Sequence, residues 1–241
     1  MPIYMTNFLT AKWQKLIMAN YAVDPKLLLP YLPKHTELDL FEGKAYVSLV
    51  GFMFLNSKIF GLPMPFMGSF EEVNLRFYVK RWVDNDWRRG VVFVNETVPF
   101  KAVAKIANWL YKEHYTAVPT KHEWLKHDNI YQINYYWKKN GNWNDMQVQI
   151  GLQSHTMQVG SVEEFIFEHY FGYTKVNDHE TIEYNIAHPS WEIYPVKNYT
   201  INCDFKAMYG ADFEHLKNEK PNSIMLAEGS DIAVKWKRVR L

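Results

Sequence analysis

A single cysteine, Cys203, in 241 residues leaves no second thiol, so neither an internal disulfide framework nor a cysteine-rich zinc site can be built. Set in "TINCDF", it reads as a small buried hydrophobe rather than a nucleophile. A reducing compartment fits, and a cytoplasmic location is expected. Charge of one sign is also lacking: 27 Lys+Arg stand against 26 Asp+Glu, which removes the basic footprint of a general nucleic-acid binder. Hydrophobic runs are short. The longest, "AYVSLVGFMFLNS" at 45–57, falls short of the roughly 20 residues a spanning helix needs. The opening "MPIYMTNFLTAKWQ" lacks the charged start and long apolar stretch of a leader. No membrane partner is expected. There is no P-loop, no G-x-G-x-x-G and no G-x-S-x-G elbow, and no cofactor is implied.

What the chain has in excess is aromatic side chains, 17% of residues with nine Trp, which favours strands and large packed side chains. "WQKLIMANYAV" reads as strand and gives way to Asp24-Pro25, an N-cap and first-turn proline opening a short helix. "EGKAYVSLVGFMF" is a strand apolar on both faces, and "GVVFVNE" is another. "PFKAVAKIANWLYKEHY" carries Val103, Ile106, Ala107 and Leu110 at helical spacing. "SVEEFIFEHYF" is a second helix with Ser161 and Glu164 as a capping box. "IYQINYYWKKNGNWNDMQVQIG" is a hairpin turning at Asn140-Gly141, its return arm alternating Met146, Val148 and Ile150 with glutamines. About ten strands in mostly hairpin-like succession argue for an antiparallel sheet closing on itself, a mainly β fold with inserted helices packed outside the barrel. No linker or repeat divides residues 1–241, so one domain is expected.

"FEEVNLRFYV" at 70–79 has two unlike faces, Glu72, Asn74, Arg76 and Tyr78 alternating with Val73, Leu75, Phe77 and Val79. Periodicity alone favours a wet outer surface for the polar row. If the row points inward, Asn74 sits between Glu72 and Arg76, neighbours on one face being roughly 7 Å apart. Arg76 then stands as the cationic neighbour of Glu72, and its removal should cost about 3–5 kcal/mol.

Metal signals are weak. "HEWLKH" at 122–127 has one residue too many for the helical zinc motif, so no metal is assigned. The basic, aromatic "VKWKRVRL" fits a last strand with one solvated face. Lys101 and Lys105 are candidates for a Schiff-base amine if desolvated near a barrel mouth, though most helix lysines extend to water.

Taken together, "LLPYLP", "LDLFEGKAYVSLVGF", "FEEVNLRFYV", "GVVFVNE", "SVEEFIFEHYFGY", "HPSWEIYPV" and "AEGSDIAVKW" resemble the bacterial YqjF-like family, domain of unknown function 2071, over nearly the whole chain. That family is in turn distantly similar to acetoacetate decarboxylase. The resemblance implies a closed antiparallel barrel of that type with the site inside, Glu72 matching an interior glutamate. The decarboxylases' lysine doublet is missing: "NETVPFKAVAK" spaces Lys101 and Lys105 by three residues, and Lys138-Lys139 sits in a hairpin. The implied function is a lumen that binds a small polar or carboxylate-bearing molecule, with Arg76 for the anion, Asn74 and Tyr78 as polar partners and Glu72 as candidate acid/base. Two alternatives stay open, a scaffold with a filled barrel and a decarboxylase-like lyase using Lys101 or Lys105. Oligomeric state is not readable from the sequence.

Overall fold

The computed structural model describes residues 7–241; the leader reading of the first six residues lies outside the described residues. In chain order the first half forms β1 (Asn7–Val23), α1 (Pro25–Leu28), β2 (Glu37–Leu38), β3 (Ala45–Ile59), β4 (Leu62–Pro63), β5 (Phe70–Val83), β6 (Asp86–Val98), α2 (Lys101–Tyr111) and β7 (Tyr115–Ala117). The second half forms β8 (Thr120–His127), β9 (Ile130–Lys139), β10 (Asn142–Ile150), β11 (His155–Thr156), α3 (Val162–Phe167), β12 (Phe171–Lys175), β13 (Thr181–Ala187), β14 (Glu192–Asn202), α4 (Phe205–Tyr209) and β15 (Ser223–Arg240). Among the described residues no helix is long and apolar enough to cross a membrane.

Strands β1, β3, β5, β6, β12, β13 and β15 pair in that order, and β15 returns to β1, closing a seven-stranded barrel. Every wall junction is antiparallel except one: β6 and β12 run parallel, Phe171 opposite Gly90 and Gly172 opposite Val91. Between these two strands the chain leaves for the second sheet and α3, and it re-enters travelling with β6, so hairpin-like succession holds on either side of this seam but not across it. Gly90 permits the junction, since a Cβ there would stand 2.5 Å from the Phe171 carbonyl oxygen.

Period-two alternation sorts each strand into two cores. Phe52, Phe54, Phe70, Tyr78 and Phe93 face the lumen. Ile17, Ala19, Val47, Leu49, Val73, Leu75, Phe77 and Val79 face outward. What covers the outward face is a second sheet, β8-β9-β10 with the C-terminal part of β14, joined to the barrel where Ile193–Pro195 pairs with β15. Its turn at Asn140-Gly141 has both residues at positive φ, as a two-residue hairpin turn requires. Ile133, Tyr135, Trp137, Met146, Val148 and Ile150 pack onto the wall, each fully buried large side chain contributing about 1.5–3 kcal/mol.

Both helix caps form, although Glu164 closes its side of the expected box by accepting from the Gly160 amide at 2.7 Å instead of from Ser161. Asp24 accepts from the Lys26 amide at 2.9 Å, and Ser161 caps α3 by accepting from Glu164 N at 3.2 Å. The helices lie outside the strands: α2 and α3 at the barrel's two ends, α1 and α4 in the outer core through Leu28 and through Phe205, Met208 and Tyr209. Phe100, at the N-terminus of α2, meets Phe70, and Phe165 of α3 meets Tyr78 at the other end of β5.

Sheet and barrel approach closely at Gly51, where a Cβ would lie 2.7 Å from the Met146 sulfur and 3.1 Å from the Tyr135 ring. Gly51→Val is expected to lower stability by about 1–3 kcal/mol through overpacking, and adding Met146→Ala should recover part of the loss. Urea melts of the two variants check this; a Gly51→Val protein as stable as the parent would mean the sheets are not in contact there.

Candidate functional site

Because Val73, Leu75, Phe77 and Val79 are sealed under the second sheet, Glu72, Asn74 and Arg76 point into the lumen, and all three are buried. Pairing with β3 orders them by depth: Phe70 opposite Phe54, Glu72 opposite Phe52, Asn74 opposite Val50, Arg76 opposite Ser48. Phe70 stands at the α2 end and Arg76 near α3, where its Nη2 donates to the Ile166 carbonyl at 3.4 Å.

Three further polar groups reach the same space from other elements. Glu96 does so through a bulge: register slips between Leu75 and Arg76 against Asn95 and Phe93, so an extra residue reverses the alternation and Phe93 and Glu96 both line the cavity. Lys112 ends α2 in the left-handed conformation and turns the chain back, so that Glu113 and Tyr115 enter while His114 stays exposed. Tyr184 of β13 lies across Gly172, where any Cβ would land on its ring, and it delivers its hydroxyl to Glu113 Oε1 at 2.7 Å.

The resulting network is made of carboxyls and hydroxyls. Asn74 Nδ2 donates to Glu72 Oε1 at 2.9 Å, and the Tyr115 hydroxyl donates to Glu72 Oε2 at 3.3 Å. Thr174 Oγ1 donates to Glu113 Oε1 at 2.6 Å. Burial pushes Glu72 and Glu113 each up to about 7, and Glu96 is raised well above the usual carboxyl range by burial and by the two neighbouring glutamates. Beside them is a cavity of about 120 Å3, room for several waters or one small molecule. The residues lining it carry buried polar atoms with no hydrogen-bond partner, among them Asn74 Oδ1, Arg76 Nε, Glu96 Oε2 and Glu113 Oε2, and also Trp13 Nε1, Ser57 Oγ and the Tyr111 hydroxyl.

Arg76 is not the ion-pair partner of Glu72 that same-strand spacing suggests. No carboxylate lies within 4.0 Å of it among the described residues; its contacts are the Ile166 carbonyl, the Met18 sulfur at 3.9 Å and the Tyr78 ring. A residue spacing of four along a strand is roughly 13 Å, which side-chain reach does not close here. Tyr78 is luminal, but its hydroxyl bonds Ser48 Oγ at 2.6 Å beyond the cavity lining; the hydroxyls at the lining are those of Ser57, Tyr111, Tyr115 and Tyr184, of which Ser57 and Tyr111 have no partner. Lys101 and Lys105 are exposed on α2, and no lysine lines the cavity among the described residues. Residues 120–127 form a strand, not a helix, and His122 pairs with Glu71 on the barrel's outer side at 2.5 Å. No grouping of three or more His, Cys, Asp or Glu fit to hold a metal occurs among the described residues.

Comparison with known proteins agrees with this architecture. The family model DUF2071, "Uncharacterized conserved protein", matches residues 10–231. YqjF of Bacillus subtilis (strain 168) is 37% identical over 68 residues, a stretch covering only 28% of either chain. An acetoacetate decarboxylase-like enzyme from Sphingomonas wittichii RW1 superposes with a TM-score of 0.66 at 11% identity, over 98% of this chain and 93% of that one. The enduracididine biosynthesis enzyme MppR, complexed with pyruvate, gives 0.64 at 11% identity over 99% and 92%. Acetoacetate decarboxylase from Legionella pneumophila gives 0.61 at 11% over 94% and 84%. At such identities the likeness shows the fold.

Raised carboxyls make a testable pH signature. Between pH 4.5 and about 7 the native state keeps protons on Glu72 and Glu113 that the unfolded chain has released, so this contribution to stability falls as pH rises through that window. Buried His169, lowered to about 4, works in the opposite direction below pH 6.5, and comparing a variant with the parent cancels it. Glu113→Gln keeps a carbonyl oxygen for Thr174 and Tyr184 and removes one ionisation. Its stability relative to the parent is expected to improve by about 1–3 kcal/mol between pH 5 and pH 8, read from urea melts. A difference independent of pH would show that Glu113 ionises normally.

Proposed function

This chain belongs to the DUF2071 family, and on that premise we propose that its barrel lumen binds a small organic molecule bearing a carboxylate, held by Arg76 and oriented by Asn74 and the glutamate–tyrosine network. The observation that carries the reading is Arg76: a permanently charged guanidinium, 9% exposed, at the cavity floor with an unpartnered Nε and no carboxylate beside it. Leaving a cation so placed costs several kcal/mol, which an anionic ligand offsets by a charge-assisted, bidentate contact. The structural neighbour MppR is complexed with pyruvate, a small acid, which favours this class of ligand.

Chemistry on the bound molecule falls to the carboxyls. A carboxyl near 7 exchanges a proton at neutral pH in either direction, as a general acid or base must. Glu72, flanked by Tyr115 and Asn74, is our candidate, with Glu113 as its counterpart across the cavity. An imine mechanism lacks its amine, since Lys101 and Lys105 are exposed and the lining holds no lysine. A filled scaffold is disfavoured by the cavity itself.

Two outcomes check this reading. Borohydride treatment in the presence of β-keto and α-keto acids should leave the intact mass unchanged; a stoichiometric adduct on Lys101 or Lys105 would restore the imine mechanism. Arg76→Met should melt at or above the parent's denaturant midpoint, because it removes an unpaired buried cation at similar volume, while abolishing carboxylate binding measured by calorimetry. Marked destabilisation by Arg76→Met would mean the guanidinium is structurally compensated within the protein rather than reserved for a ligand.

A further inference from the structure

Resting on the reading of Arg76 as the anion anchor, we propose that the acid bound in this lumen is amphiphilic: a carboxylate joined to an extended apolar chain that runs from Arg76 along the aromatic wall to the α2 end of the barrel. The lumen is graded along its length. Arg76 sits at the floor, closed by Ile166 of α3. Above it the wall carries Phe93, Phe52, Phe54 and Phe70, the last two stacked with ring centroids 4.9 Å apart. The upper lining is mostly aliphatic, with Leu9, Ile59, Met64, Val103 and Ile106 around the Ser57 hydroxyl.

Exposed apolar side chains stand where this path reaches solvent. Ile106 lines the cavity yet is 39% exposed, and the segment that carries Met64 also exposes Leu62 (72%) and Phe66 (100%). From Phe70 to Arg76 the strand runs about 20 Å at roughly 3.3 Å per residue. A two- or three-carbon acid on Arg76 leaves most of this length unfilled, and an apolar chain fills it. Glu72 and Glu113 flank such a chain in its middle, not at its carboxylate, so any proton transfer falls on a carbon or substituent several bonds from the anchored end.

The test is calorimetric titration of the full chain with acetate, butyrate, hexanoate, octanoate and decanoate, and with 1-octanol. Affinity is expected to rise about threefold to fourfold per added methylene until the chain reaches the mouth, with octanoate at least tenfold tighter than 1-octanol. Arg76→Met should abolish the advantage of octanoate over octanol, and Ile106→Ser, on the exposed helix face, should weaken octanoate more than butyrate. Equal affinity for butyrate and octanoate, both lost in Arg76→Met, would overturn the chain while leaving the anion site intact. Octanol binding as tightly as octanoate in parent and Arg76→Met alike would overturn the anion site itself. Absence of binding by every acid would overturn both.

Discussion

A strand offers its apolar residues to one side only, and in β5 that side is claimed by the second sheet. Val73, Leu75, Phe77 and Val79 are all essentially inaccessible, packed with Tyr135, Trp137, Met146 and Val148. Burying four such side chains contributes on the order of 6–12 kcal/mol before chain entropy is counted. A one-residue slip would send all four into the lumen and expose the polar row. Glu72, Asn74 and Arg76 are therefore held inside by the packing of their neighbours, not by any attraction of their own for the interior. Everything distinctive in the lumen follows from this: the raised carboxyls, the unpaired guanidinium and the polar atoms left without partners.

The lumen manages its charge by protonation and not by pairing. Three glutamates share the space; burial favours the neutral form of each, and repulsion from neighbouring glutamates adds to it at Glu72 and Glu96. Hydroxyls of Tyr115, Tyr184 and Thr174 donate to the same carboxylate oxygens and work against that shift. The balance leaves Glu72 and Glu113 raised to about 7. A region of this kind is costly to build and gains nothing for the fold, and such groups concentrate where ligands or reactions use them. The contrast with Glu183 is instructive: equally buried on β13, it is paired with Arg81 and Arg88 at 2.9 and 2.6 Å and shows what a structural carboxylate looks like in this barrel.

Much of the wall was legible in the sequence. Alternation in "FEEVNLRFYV", the Asn-Gly hairpin and the caps at Asp24 and Ser161 each act within a few residues, where local rules decide. The polar row's direction was not legible from periodicity, because the cover comes from β8–β10, some fifty residues away in sequence, and a strand pattern does not say which of its faces another sheet will claim. Glu96, Glu113, Tyr115 and Tyr184 were missed for separate reasons. Plain alternation in "GVVFVNE" assigns Glu96 to the face opposite Phe93, and only the bulge reverses it. Glu113 and Tyr115 depend on the left-handed turn at Lys112, a residue with no preference for that conformation. For Tyr184 there was a signal: Gly172 stands opposite it in a strand pair, and a glycine in a strand interior marks the close approach of another group.

The two helices at the barrel's ends, α2 and α3, divide the lumen into unlike halves, and the division follows from their lengths. α3 has six residues and buries Phe165, Ile166 and Phe167 together, so it enters the barrel end as a plug. Tyr78, Tyr46 and the buried His169 close around Phe165, and Asp39 holds His169 and Arg89 at 3.3 and 2.6 Å, fixing the plug to the wall. α2 has eleven residues and fully buries only Ala104 and Tyr111. It lies across the other end with its stripe half in contact, which leaves a space beneath it. From that end inward the lining runs from aliphatic side chains to the guanidinium, and the α3 plug behind Arg76 sets how deep that guanidinium lies.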